Sequence, residues 1–323
     1  MGRMKRKGGK LSWYIISPVL LFSALMVVFL SGKQKGIGGV TDTVIPEPGE
    51  KDYYAIYPVS VPDSLYLFGE RVPLELFDVH ESLDRELLSN TFFHSQTIRL
   101  IKLANRYFPM IEPIIEANGL PDDLKYLAIA ESGLQQAVSP AGAVGFWQIT
   151  RGTAGDYGLE VSGDVDERYH IEKSTEVACQ YIQESFEKYE DWTLAAASYN
   201  VGRRGIDRQI ARQNVHNYYD MLLNQETARY IFRIIAFKLI FENPADYGFH
   251  ISNKDLYYPV SYEIVEVDTG VKDFADFAEA HGTNYKMLKF LNPWLRDNSL
   301  ANSRNRTYQI KIPKENARLR VEG

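Results

Sequence analysis

Pro121-Asp122-Asp123-Leu124-Lys125-Tyr126-Leu127-Ala128-Ile129-Ala130-Glu131-Ser132-Gly133 joins an apolar helix face to a carboxylate. Leu124, Leu127, Ala128 and Glu131 stand at i, i+3, i+4 and i+7, so they share one face. Such a face buries, and it takes the carboxylate with it. A carboxylate drawn out of water resists ionisation, so its pKa rises. A carboxyl kept protonated in a cleft is the usual general acid for breaking a glycosidic bond. Gly133 ends the helix and leaves Glu131 beside a mouth rather than inside a core. Read alone, the same pattern also fits a helix-end Glu that reaches solvent, the commoner fate of this residue type.

The residues that follow narrow the choice. Ser139-Pro140-Ala141-Gly142-Ala143-Val144-Gly145 is too rich in glycine for a helix and reads as a tight loop. Its small side chains let backbone approach a ligand closely. Gln148 offers both a donor and an acceptor, which suits hydroxyls and acetamides. Phe146 reads as a core anchor, and Trp147 fits either a core anchor or the loop's binding face. Ala197-Ser198-Tyr199-Asn200-Val201-Gly202 ends an alanine-rich helix that neighbours can approach closely. Tyr199 at that end can reach a cleft or bond to backbone. Glu226, in Gln225-Glu226-Thr227-Ala228-Arg229-Tyr230, opens the last long helix, where an acid complements the helix dipole.

In this order and at this spacing, these segments resemble the lysozyme-like lytic transglycosylases of bacteria, most closely the membrane-bound murein transglycosylase D type. The resemblance covers about residues 98–245. It implies Glu131 as the catalytic acid and base. It also implies substrate contacts from Ser139 and Gln148, a Tyr199 hydrogen bond near Glu131, and Asn200 support at the helix end. Glu226 would line the same cleft. The family often has Met where Thr150 stands, so an apolar contact there is not carried over. The implied reaction cleaves the β-1,4 bond between N-acetylmuramic acid and N-acetylglucosamine without water, leaving a 1,6-anhydro sugar. One carboxyl then suffices, whereas hydrolytic glycosidases use two. Asp156, Asp164 and Asp166 read as solvated loop acids. A water-using muramidase and a non-catalytic glycan-binding scaffold are the alternatives.

Residues 1–10 hold Arg3, Lys5, Arg6, Lys7 and Lys10 and no acid, and residues 11–30 carry no charge. That length fits a membrane span with its basic flank in the cytoplasm, or else a signal segment that is removed. Either way the bulk of the chain is expected in the periplasm. The formal net charge is −6, and without the basic tail residues 11–323 carry −11, which argues against nucleic-acid binding. Cys179 stands alone, and the six histidines form no ligand motif, so no disulfide, metal or cofactor is expected. The expected partners are peptidoglycan strands and the membrane.

The expected fold is mainly α: a lysozyme-like helical catalytic domain with a small βααβ C-terminal module. Helical spacing marks residues 97–118, 122–132, 174–189, 193–199, 206–213 and 226–241. Residues 31–60 read as a flexible tether, 61–97 as a packed extension of unassigned role, and 98–250 as the catalytic domain. Arg71-Val72-Pro73-Leu74 could instead be a partner-binding strand. Residues 258–316 read as strand, helix, helix, strand and resemble the LysM fold, a binder of N-acetylglucosamine polymers. Asp268-Thr269-Gly270-Val271 replaces the usual start of that fold, leaving glycan binding or a structural cap open.

Overall fold

The computed structural model describes residues 57–320. The tail expected at 1–10, the apolar segment at 11–30 and most of the 31–60 tether lie outside the described residues. Among those described, no helix is long and apolar enough to cross a membrane.

Helices dominate. A hairpin, β1 (Tyr66–Leu67) and β2 (Glu70–Arg71), leads into α1 (Phe77–Phe92) and α2 (His94–Ala117). After a single 3-10 turn come α3 (Lys125–Ser132), the short α4 (Arg151–Asp156), α5 (Ile171–Tyr189), α6 (Trp192–Val201), α7 (Arg203–Gln213) and α8 (Gln225–Glu242). α2 buries Leu100, Leu103, Ala104, Ile111 and Ile115, the helical period expected of it. Pro109 and Pro113 lie on its exposed side, where a curved helix best tolerates a missing N–H.

The 61–97 extension is part of this core. Val79, Leu83 and Leu87 of α1 are buried, and α1 packs along α8. Val72 is 1% exposed and donates its N–H to the Leu65 carbonyl, so the stretch at 71–74 folds against its own chain. The Glu70 carboxylate accepts from Trp192 N (2.7 Å), Thr193 N (3.0 Å) and Thr193 Oγ1 (2.9 Å), closing the start of α6. Ala195, Ala196 and Ala197 are wholly buried, which lets neighbouring helices approach α6 closely.

The C-terminal module has the expected order: β3 (Tyr262–Val267), α9 (Phe274–Ala280), α10 (Tyr285–Leu291) and β4 (Tyr308–Pro313). β3 and β4 pair antiparallel, Tyr262 opposite Pro313 and Val267 opposite Tyr308. Asn292 staples the module, donating to the Leu288 and Lys311 carbonyls and accepting from Lys311 N. Its apolar cluster takes in Val144, Val165 and Tyr169 from the helical body. Backbone bonds join the two as well, from Asp166 N to Trp294 O (2.8 Å) and from Arg296 N to Asp164 O (2.7 Å).

Candidate active site

Glu131 closes α3. Leu124, Leu127 and Ala128 on its face are buried at 0–2% exposure, and Gly133 caps the helix at φ +61°. The carboxyl is thus carried to the edge of the core, half-buried. Tyr230 of α8, itself 1% exposed, donates its hydroxyl to Glu131 Oε1 at 2.6 Å. Burial pushes the Glu131 pKa up to about 7, while the Tyr230 hydrogen bond and the Arg233 cation pull it down and the Glu226 charge adds to the rise. Burial also lifts Tyr230 and Tyr199 well above the ordinary tyrosine range, so both hydroxyls keep their protons.

Tyr199 stands close enough to feel the Glu131 charge, but its hydroxyl donates to the Trp147 carbonyl at 2.7 Å. The hydrogen bond to Glu131 itself comes from Tyr230, ninety-nine positions along the chain from its acceptor. Asn200 accepts at Oδ1 from Thr227 Oγ1 (3.0 Å), joining the end of α6 to the start of α8. Glu226 is exposed and pairs with Arg233 at 3.2 Å.

The glycine-rich loop is a folded tongue. Ser139 Oγ accepts from Ala143 N at 3.0 Å, and Val144 bridges both Val138 and Ile149. Gln148 donates through Nε2 to the Gly145 (2.8 Å) and Ala137 (3.2 Å) carbonyls, which leaves Oε1 uncommitted among the described residues. Gly145 sits at φ +80°, and a Cβ there would meet the Arg168 carbonyl oxygen at 2.2 Å, so both conformation and space require glycine. Thr150 caps α4 through Thr153 N (3.1 Å), a use for the residue that stands where an apolar one was the alternative.

Asp166 differs from the solvated acid expected. It is 7% exposed and holds Arg168 through Nε (2.9 Å) and Nη2 (2.7 Å), and the same guanidinium donates to the Gly142 carbonyl at 3.2 Å. The pair braces the loop from behind. Asp164 accepts from Ala301 N in the C-terminal module (2.8 Å), and Asp156 faces solvent. None of the three bonds to Glu131. Sequence reasoning passed over Tyr230, Arg233 and the Asp166–Arg168 brace. Tyr230 could have been found on the apolar stripe it shares with Thr227, Ile231 and Ile234.

This arrangement sits in a recognisable sequence context. Residues 110–222 match the family described as Transglycosylase SLT domain. The chain carries an SLT domain. Glu131, Ser139, Gln148, Tyr199 and Asn200 fall within it, and Glu226 and Tyr230 lie just beyond its matched end. Residues 263–316 match the soluble lytic transglycosylase C-terminal LysM-like domain, the segment that folds as βααβ. Over 245 residues the chain is 27% identical to the membrane-bound lytic murein transglycosylase D of Escherichia coli (strain K12), across 74% of this chain and 52% of that protein. The chain spans about half the length of the curated relatives it matches. A solved structure of an inactive mutant of the lytic transglycosylase Slt from Pseudomonas aeruginosa aligns with a TM-score of 0.36 at 14% identity, over 47% of this chain and 26% of that one.

Proposed function

We propose that the chain is a peptidoglycan lytic transglycosylase in which Glu131 is both acid and base. The observation that carries this reading is a half-buried carboxyl whose pKa lies at about 7, hydrogen-bonded to Tyr230 at the edge of the SLT domain. A carboxyl of that pKa is partly protonated at neutral pH and partly able to take a proton back. Glu131 protonates the glycosidic oxygen and the leaving sugar departs. The carboxylate then draws the proton from the muramic 6-hydroxyl as that oxygen closes on its own anomeric carbon. Bonds and protons balance without water, and a 1,6-anhydro end results. Tyr230 orients the carboxyl throughout. Ser139, Gln148, Tyr199 and Asn200 are assigned to the substrate wall, with Glu226 at its rim.

The reading places the enzyme in the periplasm, with residues 11–30 as its membrane anchor and peptidoglycan strands as its substrate. A hydrolytic variant of the mechanism rests on Glu226, whose charge acts on Glu131 and whose exposure would let it address a water. The test compares wild type with Glu131→Gln on purified peptidoglycan. The reading expects soluble fragments from wild type, at least about a thousandfold fewer from the variant, and undiminished strand binding by the variant. Fragment release by Glu131→Gln at the wild-type rate would end it.

A further inference from the structure

Two connected depressions run along the seam between α2 and the C-terminal module. The inner one, about 230 Å³, has Tyr107 and Gln136 on the side of the helical body and Tyr262 and Trp294 on the module side. The outer one, about 520 Å³, shares Arg106, Pro259, Val260 and Phe290 with it. The outer groove is lined by six cations, Lys102, Arg106, Lys254, Lys286, Arg318 and Arg320, against the single acid Asp255. In a chain with 36 basic and 42 acidic residues, that is a sharp local reversal of charge. None of the six forms an ion pair among the described residues, although Lys311 of the inner cavity does, with Glu172. Asp255 is bonded to Ser252 through its hydroxyl (2.5 Å) and N–H (3.1 Å) and feels the charges of Lys102 and Lys254, so it offsets one of the six cations.

Rings occupy the same wall. Tyr257 and Phe290 are 40% and 45% exposed. Arg106 Cζ lies 5.2 Å from the Tyr257 centroid and 6.0 Å from that of Phe290, and Lys102 Nζ lies 5.7 Å from Tyr257. Lys102 and Arg106 are thus set over ring faces inside a concave surface, Arg106 with its Nε donating to the Tyr258 carbonyl at 3.0 Å.

We propose that this groove binds the carboxylate-bearing peptide stems of a peptidoglycan strand. The inference rests on the substrate reading above and names a second part of that substrate. The sugar backbone of such a strand is neutral, and its charge lies on stem carboxylates. Guanidinium and ammonium groups recognise carboxylates by charge-assisted hydrogen bonds. Exposed rings give a face to sugars or stem methyl groups. The inner cavity, which shares a wall with the groove, includes Gln136 from the segment between Glu131 and Ser139. A lipid surface is flat and calls for cations on a projecting face, whereas these line a depression.

The test uses the full chain carrying Glu131→Gln, so that strands bind without being consumed. Binding is measured to strands with intact stems and to strands stripped of stems by an amidase, whose newly freed lactyl carboxylates are then capped as neutral amides, with and without Lys254→Gln/Lys286→Gln/Arg318→Gln. Removing three exposed charges should weaken binding to stem-bearing strands about tenfold, leave stripped strands unaffected, and matter less as salt rises. Equal loss on both strands, or no loss, overturns the proposal. Tighter, charge-dependent binding to anionic phospholipid vesicles than to stem-bearing strands also overturns it and assigns the groove to a membrane. Cleavage by the chain with native Glu131 is followed in parallel. Strands that are cleaved but bound without regard to the groove charges refute this inference alone. Strands neither bound nor cleaved refute the substrate reading beneath it.

Discussion

Replacing Glu131 by Gln should stabilise the folded chain at alkaline pH and do far less at acid pH. Burial lifts the carboxyl from an ordinary 4.5 to about 7. In the unfolded chain the proton leaves near 4.5, whereas in the folded chain it stays until about 7. Between these values the folded state binds more protons, so stability falls as pH rises. The contribution is fully present below pH 4.5 and is lost by the time pH passes 7. A gap of about 2.5 units at about 1.36 kcal/mol each gives about 3 kcal/mol in total, of which about 2.5 falls between pH 5 and pH 8.5. Gln is isosteric and keeps an acceptor for Tyr230, so it removes the titration and little else. Urea unfolding of wild type and variant at both pH values isolates Glu131, because every other titrating group is common to the two. A wild-type-to-variant difference that is constant across this range would refute the claim that burial governs this carboxyl.

Other perturbations test the surrounding parts. Tyr230→Phe removes a hydrogen bond that favours the ionised carboxyl, so the alkaline limb of the activity profile should move up by about one unit while kcat falls about tenfold. An unshifted limb would mean that Tyr230 does not tune Glu131. Gly145→Ala drives a methyl into the Arg168 carbonyl at a positive φ and should destabilise by at least about 2 kcal/mol in urea unfolding. Arg229→Met leaves Glu86, 1% exposed and held by Arg229 at 2.7 Å, without its main partner, and should destabilise by about 3 kcal/mol. The same melt on Arg229→Met with Glu86→Leu should recover most of that loss.

Local patterns in the chain were legible where the chemistry is local. The Leu124, Leu127, Ala128 and Glu131 face, the Gly133 stop and the βααβ order of the module all follow from spacing and turn residues. α1 was harder to read, because its apolar stripe at Val79, Leu83 and Leu87 is interrupted by the buried charge of Glu86. Glu86 buries only because Arg229 comes to meet it from 143 positions away. Tyr230 and Asp166 were missed for the same reason. The tyrosine finds its acceptor on another helix, and the acid is drawn inward by a guanidinium whose other bonds reach the glycine-rich loop. Spacing shows which residues share a face, not which distant group that face will meet.

The most direct measurement of the central claim is the mass of the fragments that the full chain releases from purified peptidoglycan. Fragments lighter by one water than hydrolysis products, and absent with Glu131→Gln, are the result expected if a single carboxyl closes the anhydro ring. Hydrated, reducing ends from the same digestion would contradict the account and point to Glu226 as the partner of a water-using reaction.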